Sequence, residues 1–363
     1  MRAEHGCGLI VETVSLTDFR SYARLELGLK PGLVLVVGPN GAGKTNLLES
    51  LHVGTQGFSP RTRTDASLIR FGREGARIGL SGDRAGSRLE LNVVLRAGAA
   101  KRASLNGARL QAAEHLRSEI ATLVFTPDRL VVVKGGPAAR RAYFDRALGR
   151  WTPARAALPA EYGAALAQRN AALRGVSLGY STREALAPWT ERVVELGSRL
   201  VAARRDVIAA LEPLFASSAG ELGLADAALR YDGALPSVKT LTARLGRDLE
   251  RGATGIGPHL DDVEILAGAR DLRAFGSQGE QRLAVLALLL AEAELVRERR
   301  GFAPLLLLDD VLSELDPERR RILAERLRAY GQALITTTSA AALPTDPDQL
   351  VEVEAGLGGT VVR

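Results

Sequence analysis

The sequence predicts an α/β fold: a head on a mixed sheet, carrying an antiparallel β subdomain and interrupted by an inserted, mainly helical lobe. Three observations predict it. The apolar run at residues 33–37 leads directly into Gly38-Pro39-Asn40-Gly41-Ala42-Gly43-Lys44-Thr45, a complete G-x-x-x-x-G-K-[ST] loop. A second aliphatic run, 305–308, ends in Asp309-Asp310, as a parallel strand buried on both faces does when charge emerges at its carboxyl end. Between them lies a long stretch of helical periodicity, so the head is discontinuous in sequence. Residues 1–125 and 255–363 are expected to build it, and 126–254 the lobe.

The elements follow in order. Residues 77–80, 89–95 and 101–105 read as short strands, the last closing on Asn106-Gly107, a strong hairpin turn signal. From about Gly136 the pattern becomes helical. One helix runs over 157–174 between Pro153 and Gly175; a longer one starts at the capping box Ser181-Thr182-Arg183-Glu184 and runs toward Phe215, with Pro188 tolerable in its first turns. Leu196, Leu200, Val201, Val207, Ile208 and Leu211 repeat at helical spacing and form a packing stripe. No heptad run is long enough for an extended coiled-coil arm. After residue 254 the sheet is expected to resume at 263–265. A helix over 283–296, too apolar all round for a surface, then precedes the Asp309 strand, a helix over 319–330, a strand entering Thr336-Thr337-Thr338, and a final pair near 350–353.

The glycine-rich loop names the ligand. Gly38, Gly41 and Gly43 allow main-chain N–H groups to close around an anionic phosphate chain, with Pro39, Asn40 and Ala42 completing the turn. Lys44 is expected to reach the β- and γ-phosphates and Thr45 to hold Mg²⁺, while Asn46 continues a helix whose positive dipole end faces the phosphates. Asp309 fits the carboxylate that holds Mg²⁺ through water, and Asp310 the group that polarises the attacking water. The expected cofactors are therefore ATP and Mg²⁺. Upstream of the strand, Ser277 and Glu280 by themselves read as a capping box.

Order adds meaning to these parts: phosphate loop, S-x-G-E-Q, aliphatic run with Asp-Asp, then Ser313-Glu314-Leu315-Asp316 before Pro317. In that order the chain resembles the ABC-type ATPase superfamily, with 277–282 as its signature motif and 313–316 as its D-loop. The resemblance implies that the signature helix of one subunit caps the γ-phosphate bound by the loop of another. Ser277, Gly279 and Glu280 then join the nucleotide site, and Ser277 joins Lys44 and Asp310 as a catalytic residue. A helix N-terminus with a serine hydroxyl and a glycine N–H is a suitable anion clamp. Two departures from transporter-type heads stand out: Asp310 replaces the usual glutamate, and Thr336-Thr337-Thr338 holds no histidine. Asp310 is one methylene short, and a misplacement of about 1 Å can cost on the order of 100-fold in rate. Slow hydrolysis, with ATP as a switch, is the expectation.

Three further segments sharpen the resemblance. Leu16-Thr17-Asp18-Phe19-Arg20-Ser21-Tyr22 looks like the opening of chromosome-maintenance ATPases. Pro127-Asp128 with Gly135-Gly136-Pro137-Ala138-Ala139-Arg140-Arg141-Ala142-Tyr143-Phe144-Asp145, the 307–316 segment with Arg320, and Gly257-Pro258-His259-Leu260-Asp261-Asp262 resemble three signatures of the RecF family of bacterial recombination proteins, although Leu260 stands where arginine is expected. This resemblance spans nearly the whole chain. It implies an ATP-dependent homodimer on duplex or gapped DNA, a weak DNA-stimulated ATPase, and assistance to RecO and RecR in placing RecA during recombinational repair, replication maintenance and the SOS response. The competing readings are the ATPase subunit of a membrane transporter and a chromosome-structuring ATPase with long arms.

Bulk properties agree with a soluble, cytoplasmic protein. A chain of 363 residues with 46% hydrophobic content is long enough for two packed domains. It lacks a signal-peptide core and any apolar run near about 18 residues, so no membrane partner is expected. Cys7 alone excludes an internal disulfide framework, and four histidines without paired Cys/His spacing argue against structural zinc. A net charge of +6 permits DNA binding through phosphates, and 4% aromatic content favours duplex backbone over stacked single strands. Arg61, Arg63, Lys134, Arg140, Arg141, Arg204 and Arg205 form the candidate DNA groove as a set. Each singly also reads as a solvated charge or an ion-pair partner.

Overall fold

A computed structural model describes residues 9–84, 86–356 and 359–362; Cys7 lies outside them. The strands in chain order are β1 (Leu9–Phe19), β2 (Tyr22–Gly28), β3 (Gly32–Val37), β4 (Gly75–Arg84), β5 (Ser87–Arg96), β6 (Arg102–Leu105), β7 (Ala108–Arg109), β8 (Thr122–Phe125), β9 (Ala227–Tyr231), β10 (Val263–Ala267), β11 (Arg270–Asp271), β12 (Leu305–Leu308), β13 (Gln332–Thr337), β14 (Gln349–Gly356) and β15 (Gly359–Val362). The longer helices are α1 (Lys44–Gln56), α2 (Pro137–Trp151), α3 (Leu158–Ser177), α4 (Ala187–Glu221), α5 (Gln278–Arg300) and α6 (Pro317–Arg328). The chain divides into two compact units: residues 1–129, 221–223 and 289–363, and residues 130–220 with 224–288.

The first unit holds two sheets. One is mixed, in the order β15-β14-β3-β13-β12-β8. Its strands from β14 to β8 pair in parallel, and only β15 is antiparallel. Leu305, Leu306, Leu307 and Leu308 are all fully buried, which is why β12 carries no polar alternation. Strands β3, β12 and β13 therefore deliver their carboxyl ends, and the loops that follow, to one edge of the sheet, where α/β sheets bind ligands. The other sheet is antiparallel throughout, in the order β2-β1-β4-β5-β6-β7. Its β6–β7 hairpin turns on Asn106 and Gly107 at φ 49° and 80°, the paired positive values that a two-residue turn requires. Buried Gln332 fastens the two sheets: its amide carbonyl accepts from Val11 N at 2.8 Å, and its NH₂ donates to Val11 O and Lys30 O at 2.9 Å each.

The second unit is helical around a small sheet of order β11-β10-β9. Helix α4 runs 35 residues with Pro213 inside, and its buried face includes Leu196, Leu200, Val201, Val207, Ile208 and Leu211, the stripe legible in the sequence. Two expectations need correction. Residues 263–265 pair with β9 in register Val263 to Tyr231, not with the head sheet, and the unit extends past 254 to Leu288. The reason is a strand of five residues, 227–231, which alone has too little pattern to show its partner; once it pairs with β10, the segment leading into α5 packs with the lobe.

Candidate nucleotide-binding site

The phosphate loop is shaped by close backbone approach. A Cβ on Gly38 would lie 2.1 Å from Val353 O, and one on Gly43, at φ 112°, would lie 2.6 Å from Thr360 Oγ1. Neither position admits a side chain. The loop is also braced from outside: Tyr22 OH donates to Gly43 O at 3.1 Å, Thr360 Oγ1 to Ala42 O at 3.0 Å, and Asn46 Nδ2 to Ser21 Oγ at 2.9 Å. Burial pushes the Tyr22 phenol well above its usual range, so it remains a donor. Helix α1 begins at Lys44 with no side-chain cap, leaving its first N–H groups for an anion.

Lys44, Thr45, Asp309 and Asp310 converge. The buried Lys44 ammonium donates to Gly38 O at 2.7 Å and Pro39 O at 2.9 Å. Burial draws its pKa below the usual lysine range, opposed by Asp310 and then Asp309. Thr45 Oγ1 lies 2.9 and 3.0 Å from the two oxygens of Asp309, so one hydroxyl and one carboxylate offer hard oxygen donors at a single point. That pair suits Mg²⁺, which takes one or two carboxylates and completes its shell with water and phosphate. Thr336, on β13, is a participant the sequence reading passed over. Its hydroxyl donates to Asp309 Oδ1 at 2.7 Å and accepts from Asp310 N at 2.9 Å. Asp310 has left-handed backbone, φ 49°, and an exposed side chain. The threonine thus orients both acidic residues, in the segment where a histidine was sought.

Beside Asn46 lies a cleft of about 680 Å³ lined by Arg20, Ser21, Asn46, Arg61, Arg70 and Phe71 among others. Two of its arginines, Arg20 and Arg61, pair with the carboxylate of Glu49, whose side chain is fully buried. Arg20 meets this carboxylate with two bonds of 2.9 Å, Ser59 Oγ donates at 2.6 Å, and Arg61 NH1 lies 3.3 Å from both Glu49 and Asn46 Oδ1. Arg61 is therefore an ion-pair partner at the rim of the nucleotide site, while Arg63 is exposed. Nothing in the composition signals Ser21, Thr360 or Glu49; they act through partners 10 to 339 residues away.

In the second unit, Ser277, Gln278 and Gly279 are exposed at the start of α5. Ser277 N donates to Glu280 Oε2 at 2.8 Å and Glu280 N to Ser277 Oγ at 3.2 Å, a reciprocal capping box. Those bonds, then Arg270, hold the Glu280 carboxyl below its usual range. Ser277 Oγ accepts within the box, which leaves its O–H available as a donor.

The candidate DNA groove needs correction at two residues. Arg140 and Arg204 are 2% and 3% exposed. Arg140 is bidentate to Asp262 at 2.7 and 2.5 Å; Arg204 is bidentate to Asp145 at 2.8 and 2.9 Å and donates to Pro258 O at 2.6 Å. Buried guanidinium groups that hold partly buried carboxylates do not present N–H groups to phosphate, and charge reversal there acts on the fold first. Arg141 is half-buried and donates to Asp261 O at 2.6 Å, whereas Lys134 and Arg205 are exposed, with Arg205 donating to Gly233 O. The structure thus joins two segments singled out in the sequence: 140–145 is knitted to 258–262. Between Pro258 and Asp261, His259 is half-buried, and its pKa is lowered chiefly by desolvation. Its Nε2–H donates to Thr254 O at 3.0 Å, so Nδ1 accepts from Tyr162 OH at 2.8 Å. Leu260 is exposed.

Comparisons with known proteins point to one family. The family model described as RecF/RecN/SMC N terminal domain matches residues 10–360. The chain is 39% identical over 347 residues to the DNA replication and repair protein RecF of Anaeromyxobacter dehalogenans (strain 2CP-C), covering 90% of this chain and 91% of that protein. It is 34% identical over 354 residues to the protein of the same description from Heliobacterium modesticaldum (strain ATCC 51547 / Ice1), covering 94% and 95%. The solved structure of the recombination mediator protein RecF-ATP in the RecFOR pathway superposes with a TM-score of 0.88 at 25% identity, over 100% of this chain and 99% of that one.

Proposed function

The chain belongs to the RecF family of DNA replication and repair proteins, and on that premise we propose that it is an ATP-switched DNA clamp whose two copies close around two nucleotides. The observation that carries this reading is the single point formed by Lys44, Thr45, Asp309 and Thr336. It holds the groups a triphosphate needs, while the exposed Ser277 end of α5 is free to serve the nucleotide of a second molecule. Thr45 and Asp309 would hold Mg²⁺, which would supply neutralisation of the phosphate charge. Lys44 and the uncapped start of α1 bind the phosphates, and Asp310 receives the proton of the attacking water.

Hydrolysis in this scheme opens the dimer and releases DNA, with the exposed cations Arg63, Lys134 and Arg205 as backbone contacts. RecO, RecR and through them RecA are the partners that membership of the family suggests. Turnover is slow, because Asp310 reaches less far than glutamate; a purified protein hydrolysing tens of ATP per second would refute this. Among the described residues no helix is long and apolar enough to cross a membrane.

Ser277→Ala tests the clamp. The alanine keeps nucleotide affinity in the isolated chain but removes the hydroxyl that would cap the partner's γ-phosphate, so sedimentation with ATP and gapped duplex should show dimer for the native chain and monomer for the variant. A normal ATP-dependent dimer of the variant would refute the sandwich.

A further inference from the structure

Glu221, Leu222 and Gly223 belong to the first unit although the chain on either side of them belongs to the second. Helix α6 meets all three. Arg326 lies 2.9 Å from the Glu221 carboxylate, Arg319 Nε donates to Leu222 O at 2.8 Å, and a Cβ on Gly223 would stand 3.2 Å from the Arg319 guanidinium. Gly223 also has φ 83°, so this glycine serves both the turn that ends α4 and the close approach of the arginine. Leu222 is buried.

The other half of Arg319 engages Asp316. Its NH1 lies 2.8 Å from Asp316 Oδ2, and its main-chain N–H donates to Asp316 Oδ1 at 2.9 Å, capping α6. Asp316 closes the 313–316 segment, whose Ser313 hydroxyl donates to Asp310 O at 2.9 Å. Arg320 Nε fixes the middle of that segment through Leu315 O at 2.8 Å. Short links therefore run from Asp310 through Ser313, Asp316 and Arg319 to the carbonyl that follows the last residue of α4.

We propose that Arg319 is a positioning residue that makes residues 221–223 respond to the nucleotide state. This rests on the reading of ATP as the switch. A guanidinium has donors fixed in a fork, so Arg319 can hold Asp316 and Leu222 O together; a lysine ammonium on a flexible stem cannot hold both in one geometry. A shift of the 313–316 segment during the nucleotide cycle is then carried to the end of α4, and α4, continuous from Ala187 to Glu221, receives it at its last turn. Gly223 makes this economical, since no side chain separates the guanidinium from the backbone it moves.

Hydrogen exchange of the full chain, with and without ATP and Mg²⁺, tests the proposal on the native protein, Arg319→Ala and Arg319→Lys, with nucleotide affinity measured on the same samples. In the native chain ATP should slow exchange at amides around 221–223 about tenfold, the size of one charge-assisted hydrogen bond. Both variants should lose that slowing while keeping nucleotide affinity within about twofold, since a change of less than about 0.5 kcal/mol is expected away from the bound groups. The lysine variant retains the charge at a side chain 36% exposed, so it folds and separates the fork from the charge. Persistence of the ATP-dependent slowing in either variant, or its absence in native chain that binds ATP, overturns the proposal. A native chain that does not bind ATP overturns the switch reading instead.

Discussion

Lys44→Ala is expected to weaken ATP binding by at least about 100-fold, because two charge-assisted hydrogen bonds to phosphate are worth on the order of 1.5–3 kcal/mol each. The site explains why no neighbour substitutes. Lys44 is the cation within the loop itself, bonded to Gly38 O and Pro39 O, and Arg20 and Arg61 are committed to Glu49. Titration calorimetry with ATP and Mg²⁺ measures the loss directly. The rise in unfolding temperature that ATP confers on the native chain should vanish with it, since stabilisation by a ligand follows its affinity. Loss of dimerisation should accompany both. A variant that binds ATP as the native chain does would remove Lys44 from the phosphate site.

The largest effect on folding is expected at Arg169, deep in the second unit. Its side chain is 1% exposed and its partner Asp248 is 0% exposed, 3.1 Å away. Thr254 Oγ1 accepts from Arg169 Nη1 at 2.6 Å, Thr190 Oγ1 from its Nε at 3.2 Å, and Gly255 N donates to the second Asp248 oxygen at 3.1 Å. Neither residue has a fully buried polar atom without a partner, which is the condition under which a buried ion pair is tolerated. Arg169→Ala leaves Asp248 buried and uncompensated, a loss of about 3–5 kcal/mol. Thermal unfolding of the full chain should shift down on the order of 10 °C. Replacing both partners, Arg169→Met with Asp248→Leu, should recover much of that, because removal of a whole buried pair is often close to neutral. A shift of under about 1 kcal/mol in the single variant, the range of exposed pairs, would show that the pair is solvated.

The physical difference between these two sites is also the difference between what could and could not be read from the chain. Lys44 stands in a loop whose proposed function is local: a turn of eight residues is shaped to enclose a phosphate, so the residue types and spacing concerned are contiguous. Asp309-Asp310 was legible for a related reason, since β12 is buried on both faces and only its carboxyl end tolerates charge. The stripe along α4 was legible because a helix repeats its core face every turn.

Arg140, Arg169 and Arg204 were not legible, although they are arginines in helical segments like the rest. A guanidinium looks the same in sequence whether water or a carboxylate receives it, and their partners lie 59 to 122 residues away. The same holds for Thr336, which steers Asp309 and Asp310 from the neighbouring strand, and for Thr360, which reaches the phosphate loop from the last strand. The chain by itself determined the family, the phosphate loop and its acidic partner, because those features depend on short-range geometry and on burial pattern. Tertiary structure alone decided which charges are spent inside the lobe, how β9 draws 263–267 away from the head sheet, and where Arg319 grips the end of α4. Each of those is a pairing between distant segments, and pairing energy becomes specific only when folding has chosen the neighbours.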